Sequence, residues 1–330
     1  MKFNINKGIF IFLSFFYFTF GNWEDFKNKF LKSEGNVIDP YNSYRTTSES
    51  QGYGLFLAVI SNDKKTFDRI LSWTEKHLKR EDNLFSWHWN GGKVIDINNA
   101  LDGDFFIAYS LILAFKRWKV QKYLEKSKKI IKVTKELILE VCNNEKRHYV
   151  LIPARYGFLH EKNATITTFP SYYIPFIFKE FARYDDFYFW KNMYMYTYKI
   201  YKIKNITFNL NFSLFKKNWQ KINFASLDTY RLIPYTFLDN PKKLKLLIKT
   251  FYSVNRFFKK NGYIPLNFYY NRENQQKKES PYCVYKWFYF LYNDKRYLEK
   301  YKSLKTIDKN NYFCEFFEIA LENNYRGGND

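Results

Sequence analysis

Residues 104–118 read DFFIAYSLILAFKRW. From Phe105 to Phe115 no residue is charged. If this stretch is a helix, its apolar surface runs round the whole cylinder, so it has to be enclosed on every side. Tyr53 to Ile60 is a second apolar run. Amphipathic stretches surround these two. Lys65–Leu78 carries Phe67, Ile70, Leu71 and Trp73 at helical spacing, and Lys122–Val141, Ser171–Tyr184, Asp186–Tyr201, Asn240–Lys260 and Ser280–Tyr292 continue the pattern. Gly, Pro, Asn and Asp collect in the joints. The expectation is an all-α fold, a helical toroid of about twelve helices with about 26 residues for each helix and its joint. No Gly/Ser/Pro-rich linker interrupts residues 22–330, which are read as one domain.

The composition narrows the function. Charged residues are 26% and hydrophobic residues 46%, which excludes a wholly disordered chain. Only 12 Gly and 8 Pro speak against a turn-rich all-β fold. Cys142, Cys283 and Cys314 are too few for a disulfide-built scaffold. They have neither CxxC spacing nor a His cluster, which disfavours structural zinc, and they are expected to be buried apolar side chains. The net charge of +22 suggests an anionic partner. Yet the basic residues are spread, with no run of five. Abundant Lys, Asn, Ile, Phe and Tyr are what an AT-biased coding sequence yields. The charge is therefore read as a solvated surface, and nucleic acid is not expected as a partner.

Residues 1–21 have the pattern of an export signal. Lys2 and Lys7 precede an uncharged apolar stretch, Gly8 to Phe20, and Thr19 and Gly21 are small residues before Asn22. A bilayer span needs about 20 residues, so the stretch suits a cleaved signal better than an anchor. The expected location is periplasmic or secreted, with an uncleaved membrane anchor as the alternative.

Four constellations carry chemistry. In Thr46-Thr47-Ser48-Glu49-Ser50-Gln51-Gly52-Tyr53-Gly54 an acid stands among small polar residues before a buried helix. It suits a general acid, and equally a capping box from Thr46 to Glu49. In Asn98-Asn99-Ala100-Leu101-Asp102-Gly103-Asp104 two acids straddle a glycine at a helix start, where capping is the simple use. Ser226-Leu227-Asp228-Thr229-Tyr230-Arg231 sets Asp and Arg three apart, a spacing that surface ion pairs share. Trp87, Trp89 and Tyr172 lie in polar joints, where aromatic rings can stack on sugars or simply pack.

Taken in order, TSESQGYGLFLAVISND (47–63), FDRILSWTEKHLKREDNLFSWHW (67–89), VIDINNALDGDFFIAYSLILAFKRW (94–118), LIPARYGF (151–158), FPSYY (169–173) and SLDTYRL (226–232) resemble glycoside hydrolase family 8. The resemblance runs from about Trp23 to Tyr235, and the similar branch is the periplasmic endoglucanase that accompanies bacterial cellulose synthase. It implies an (α/α)6 barrel and an inverting endo-β-1,4-glucanase. By motif, Glu49 matches the general acid, Asp228 the general base and Asp102 the carboxylate that holds the sugar at the cleavage point. Tyr53 and Arg231 match their neighbours in the cleft. Leu227, Phe169 and Ala154 depart from the family pattern and alter the subsites. Two-carboxyl hydrolysis requires no metal and no organic cofactor. The expected partner is a β-1,4-glucan, with a cellulose synthase assembly as a second candidate partner, and a monomer is expected. A glucan-binding protein without turnover and a membrane-tethered component of a cellulose exporter are the rival readings.

Overall fold

The computed structural model describes residues 23–143, 146–221, 224–308 and 310–323. The stretch read as an export signal lies outside the described residues. The expected toroid is the fold observed. Outer helices are α1 (residues 23–30), α3 (Lys64–His77), α5 (Gln121–Lys135), α7 (Phe187–Tyr201), α10 (Tyr252–Asn261) and α12 (Lys295–Lys305). Between them run inner helices α2 (Ser48–Ile60), α4 (Leu101–Trp118), α6 (Pro175–Phe181), α9 (Leu232–Asp239), α11 (Tyr282–Tyr292) and α13 (Tyr312–Glu322). A single turn, α8 (Leu227–Tyr230), leads into α9. Each inner helix packs against the next, from α2 through α4, α6, α9 and α11 to α13, and α13 returns to α2. The ring is closed.

The high aromatic content fills this ring. Phe106 of α4 meets Tyr53 of α2, Phe176 of α6, Tyr235 of α9 and Phe316 of α13, with centroids 4.8, 6.1, 6.1 and 5.7 Å away. One side chain thus touches four other inner helices near the axis, in edge and tilted ring geometries. Outer helices need only one apolar stripe, so they are the amphipathic stretches. Inner helices are buried on all sides, as residues 104–118 require.

The two faces of the toroid differ. Inner helices pass to outer ones through short joints, such as residues 61–63, 119–120 and 293–294. From α1 to α11, outer helices pass to inner ones through long joints that carry antiparallel strands. β1 (Thr46–Thr47), β2 (Ser86–Asn90) and β3 (Lys93–Asn99) form one sheet. β4 (Ile138–Asn143) and β5 (Lys146–Leu151) form a hairpin. β6 (Leu159–His160), β7 (Thr165–Thr168), β8 (Leu210–Ser213) and β9 (Asn218–Lys221) form a four-stranded sheet, and β10 (Phe224–Ser226) pairs with β11 (Asn267–Tyr269).

Three expectations change. The helix expected over Lys122–Val141 ends at Lys135, because Ile138-Leu139-Glu140-Val141 alternates inward and outward with the period of a strand. The helix expected over Asn240–Lys260 is broken into a 3-10 segment, Pro241–Leu247, and α10. The cysteines are not all buried apolar side chains. Cys283 of α11 and Cys314 of α13 are buried but joined as a disulfide, and Cys142 on β4 is exposed.

The disulfide ties two neighbouring inner helices and closes a loop of 31 residues. A loop of this length corresponds to about 3–4 kcal/mol from chain entropy in the unfolded state. The variant carrying both Cys283→Ser and Cys314→Ser should lose stability of that order in urea unfolding. Reductant should destabilise the wild type by a similar amount and leave the double variant unchanged.

Candidate active site

The N-termini of inner helices open onto the strand-bearing face, and three acids stand there at the same position. Glu49 is the second residue of α2, Asp102 the second of α4 and Asp228 the second of α8. This is where exposed backbone N–H groups and the helix dipole favour negative charge. Capping is handled by neighbouring hydroxyls. Thr47 and Ser50 satisfy each other's backbone N–H groups at 3.0 Å, and Thr229 accepts the N–H of Ser226 at 3.1 Å. The cap of α2 is therefore Thr47 rather than Thr46, and Glu49 is not consumed in it. Asp102 is not a cap either, since α4 starts after Ala100 with no side-chain cap.

Arg231 joins the three acids. It is only 3% exposed. Its Nη2 lies 2.7 Å from Asp228 Oδ1, and its Nη1 bonds Glu49 Oε1 and lies 3.4 Å from Asp102 Oδ2. Nη1 also donates to the Tyr53 hydroxyl at 3.2 Å, which itself donates to Glu49 Oε1 at 3.1 Å. Tyr312 donates to the other Glu49 oxygen at 3.5 Å. The pair at 228 and 231 is thus no surface ion pair. Glu49 and Asp228 occupy opposite nitrogens of one planar group, which holds them apart across the cleft.

Burial, and then the Glu49 carboxylate beside it, push Asp102 well above the usual carboxylate range, with Arg231 pulling the other way. Crowding by the cleft walls also raises Asp228, against the pull of Arg231, although 39% of its side chain remains open to solvent.

The helix approach that sets this geometry depends on glycine. A Cβ on Gly103 would lie 2.5 Å from Ser48 Oγ and 2.7 Å from the Glu49 nitrogen, and one on Gly52 would lie 2.7 Å from Phe106 Cβ. The backbones of α2 and α4 touch at the two acids.

A cavity with about 220 Å³ accessible to water lies over the acids, with Arg45, Trp87, Phe169, Tyr172, Phe208 and Tyr312 among its walls. Of the aromatics singled out in the sequence, Trp87 and Tyr172 face it. Trp89 does not, and packs edge-on against Trp73 at 5.1 Å. Irregular pairing on either side of His88 turns Trp89 away from the side that Trp87 occupies, against the simple alternation of a strand.

Sequence reading missed three contributors. Tyr312 and Phe208 come from segments with no motif. Asp104 read as a possible cap, but it is fully buried and accepts the Phe85 backbone N–H and the Asn99 amide, both at 2.9 Å. Asn99 in turn accepts the Arg155 N–H at 2.9 Å. Asp104 thereby fixes both ends of the hairpin that carries Trp87. Among the described residues no cluster of His, Cys, Asp and Glu is arranged to hold a metal.

Paired carboxyls at the floor of an aromatic-walled cleft define the class of enzymes that cut glycosidic bonds by acid–base chemistry. The chain belongs to family 8 of the glycosyl hydrolases, which it matches over residues 9–267. An endoglucanase of Escherichia coli K12 is 30% identical over 267 residues, covering 75% of this chain and 70% of that one. The solved endo-1,4-D-glucanase of Vibrio fischeri superposes with a TM-score of 0.75 at 25% identity, over 91% of this chain and 93% of that one. The endo-beta-1,4-glucanase of Acetobacter xylinum also gives a TM-score of 0.75, at 20% identity over 94% and 98% of the two chains, and supports the fold.

Two outcomes follow from this geometry. Gly103→Ala should cost about 1–3 kcal/mol in denaturant unfolding, as overpacking does, and should lower kcat more than it raises KM because the Glu49 backbone is displaced. Burial pushes Asp104 up to about 7. Its contribution to stability is complete below its unfolded value of 3.8 and is lost as pH rises through about 7. The melting temperature should fall between pH 5 and 8, and Asp104→Asn should flatten that slope.

Proposed function

We propose that the protein is an inverting endo-β-1,4-glucanase in which Glu49 is the general acid and Asp228 the general base. The observation that carries this reading is the single guanidinium of Arg231, which bonds Glu49 and Asp228 on different nitrogens. An inverting site needs its two carboxyls roughly 6.5–9.5 Å apart, with room for water, and a guanidinium bonded to each acid through a different nitrogen stands between Glu49 and Asp228. The endoglucanase relatives, named as such in several bacteria, support the glucan as substrate.

The proton begins at the contact between Asp102 and Glu49. Glu49 protonates the glycosidic oxygen as the bond to the anomeric carbon breaks. Asp102 holds the sugar at the cleavage point. Asp228, kept oriented by Arg231, takes a proton from water as that water attacks the opposite face of the ring. One bond to the leaving sugar is replaced by one to hydroxide, and both acids return to their starting states when the protons are exchanged with solvent. Tyr53 and Tyr312 orient Glu49. Trp87 and Tyr172 supply apolar faces to the sugar rings.

The signal-like residues 1–21 support export to the periplasm or beyond. The resemblance to endoglucanases that accompany cellulose synthase supports action on a glucan chain leaving the cell. Mass spectrometry of the exported protein would reveal whether the signal is cleaved.

Glu49→Gln should retain the fold and lose hydrolysis of carboxymethyl cellulose by about 10²–10⁴-fold, the usual worth of a general acid. Asp228→Asn should be inactive and should not be rescued by azide as a β-glycosyl azide. Proton NMR of fresh hydrolysate should show the α-anomer first. If the β-anomer leads, the enzyme is retaining and the role given to Asp228 is wrong.

A further inference from the structure

Arg45 precedes the first catalytic block and was not singled out by its sequence. Its backbone is pinned, because its carbonyl accepts the Asp39 N–H at 2.8 Å. Its side chain lines the same cavity as Glu49, Asp102 and Asp228. The guanidinium carbon sits 5.6 Å from the centroid of the Trp87 ring, so the cation rests on one of the aromatic walls.

Its donors are left largely unused. Nε lies 3.8 Å from Asp39 Oδ2, beyond hydrogen-bond range, and is buried with no hydrogen-bond partner. Asp39 is itself nearly buried, is not part of the cavity wall, and already accepts from the Tyr41 N–H and the Asn42 amide. It anchors the stem of Arg45 without capping the terminal nitrogens. Among the described residues none accepts a hydrogen bond from those nitrogens. His88, next to Trp87 in the chain, is held below its ordinary range by burial and by Arg45.

The charge on the cavity wall gives this residue its meaning. With the one proton that a general acid requires held on the Glu49–Asp102 pair, the three carboxyls outweigh Arg231 by one negative charge, and a cleft of that kind would welcome a cationic sugar. Arg45 has its own counter-ion in Asp39, but Asp39 is not part of the cavity wall, so it is the cation that is presented at the Trp87 wall. Its free N–H groups can donate to sugar hydroxyls or to an anionic substituent, whereas a protonated amine there meets a like charge. We infer that Arg45, seated on Trp87, sets the substrate class of the cleft: neutral and anionically substituted β-1,4-glucans are admitted and polymers of glucosamine are refused. This rests on the glucanase reading above.

The test compares initial rates on four substrates at pH 5.5, where glucosamine is protonated: cellohexaose, its fully deacetylated glucosamine counterpart, hydroxyethyl cellulose and carboxymethyl cellulose. Relative to wild type, Arg45→Gln should raise the ratio of kcat/KM for the glucosamine hexamer over cellohexaose by about 10-fold and lower the ratio for carboxymethyl over hydroxyethyl cellulose by a similar factor. Arg45→Lys should keep the wild-type order. In the wild type, with no substitution at all, raising salt from 20 to 500 mM should lower the carboxymethyl to hydroxyethyl ratio. Unchanged ratios in a folded Arg45→Gln enzyme would overturn the inference, as would a salt-independent ratio in the wild type or equal wild-type rates on the two hexamers. A wild type inactive on every β-1,4-glucan would instead overturn the proposed function.

Discussion

A single buried guanidinium holds the site together. Three carboxyls crowd the helix ends, and without Arg231 their mutual repulsion would either open the cleft or force further protonation. Arginine suits this place because it stays charged at any relevant pH and offers donors in a fixed plane. Lysine has one charged point and no width, so it could neutralise the acids but not space them. The burial of Arg231 is tolerated because its charge is met by Asp228 and Glu49 and its body rests 5.6 Å from the Phe313 ring.

The acids come from distant parts of the chain, yet each is the second residue of a helix. The toroid supplies this repetition. Every long joint delivers the chain to the start of an inner helix, so any acid placed there faces the same opening. Hydroxyl caps and the glycine contact between α2 and α4 then leave the acids free to face one another. The dipoles of the helices favour ionised acids and burial disfavours them; burial raises both Asp102 and Asp228, and further at Asp102, whose side chain is nearly closed to solvent.

Much of this was legible in the residues. The apolar stretch at 104–118 demanded enclosure by other helices, and the order of the Glu49, Asp102 and Asp228 blocks pointed to one cleft. What escaped was fixed by contacts between remote segments. The pairing of Cys283 with Cys314 depends on α11 and α13 being neighbours in a ring, which spacing alone does not reveal. Trp89 has the residue type and the alternation of a cleft residue, but a local irregularity in pairing redirects it. The strand over Ile138–Asn143 was absorbed into a helix because apolar runs of that length suit both. Arg45 and Tyr312 carry no motif, and only the folded chain sets them beside Glu49.

Closure of the ring has a consequence for how activity is acquired. Short joints after α2, α4 and α11 make each of these helices and the outer helix after it a hairpin that can form early, from nearby residues. The contact between α13 and α2 joins opposite ends of the chain and must wait for the last helix to be made. Phe316 of that helix stacks on Tyr53 at 3.7 Å, and Tyr312 reaches Glu49. The acid is therefore left half-dressed until α13 is in place. A chain that stops short can be helical and compact and still cut nothing, so hydrolysis itself reports that the circle has closed.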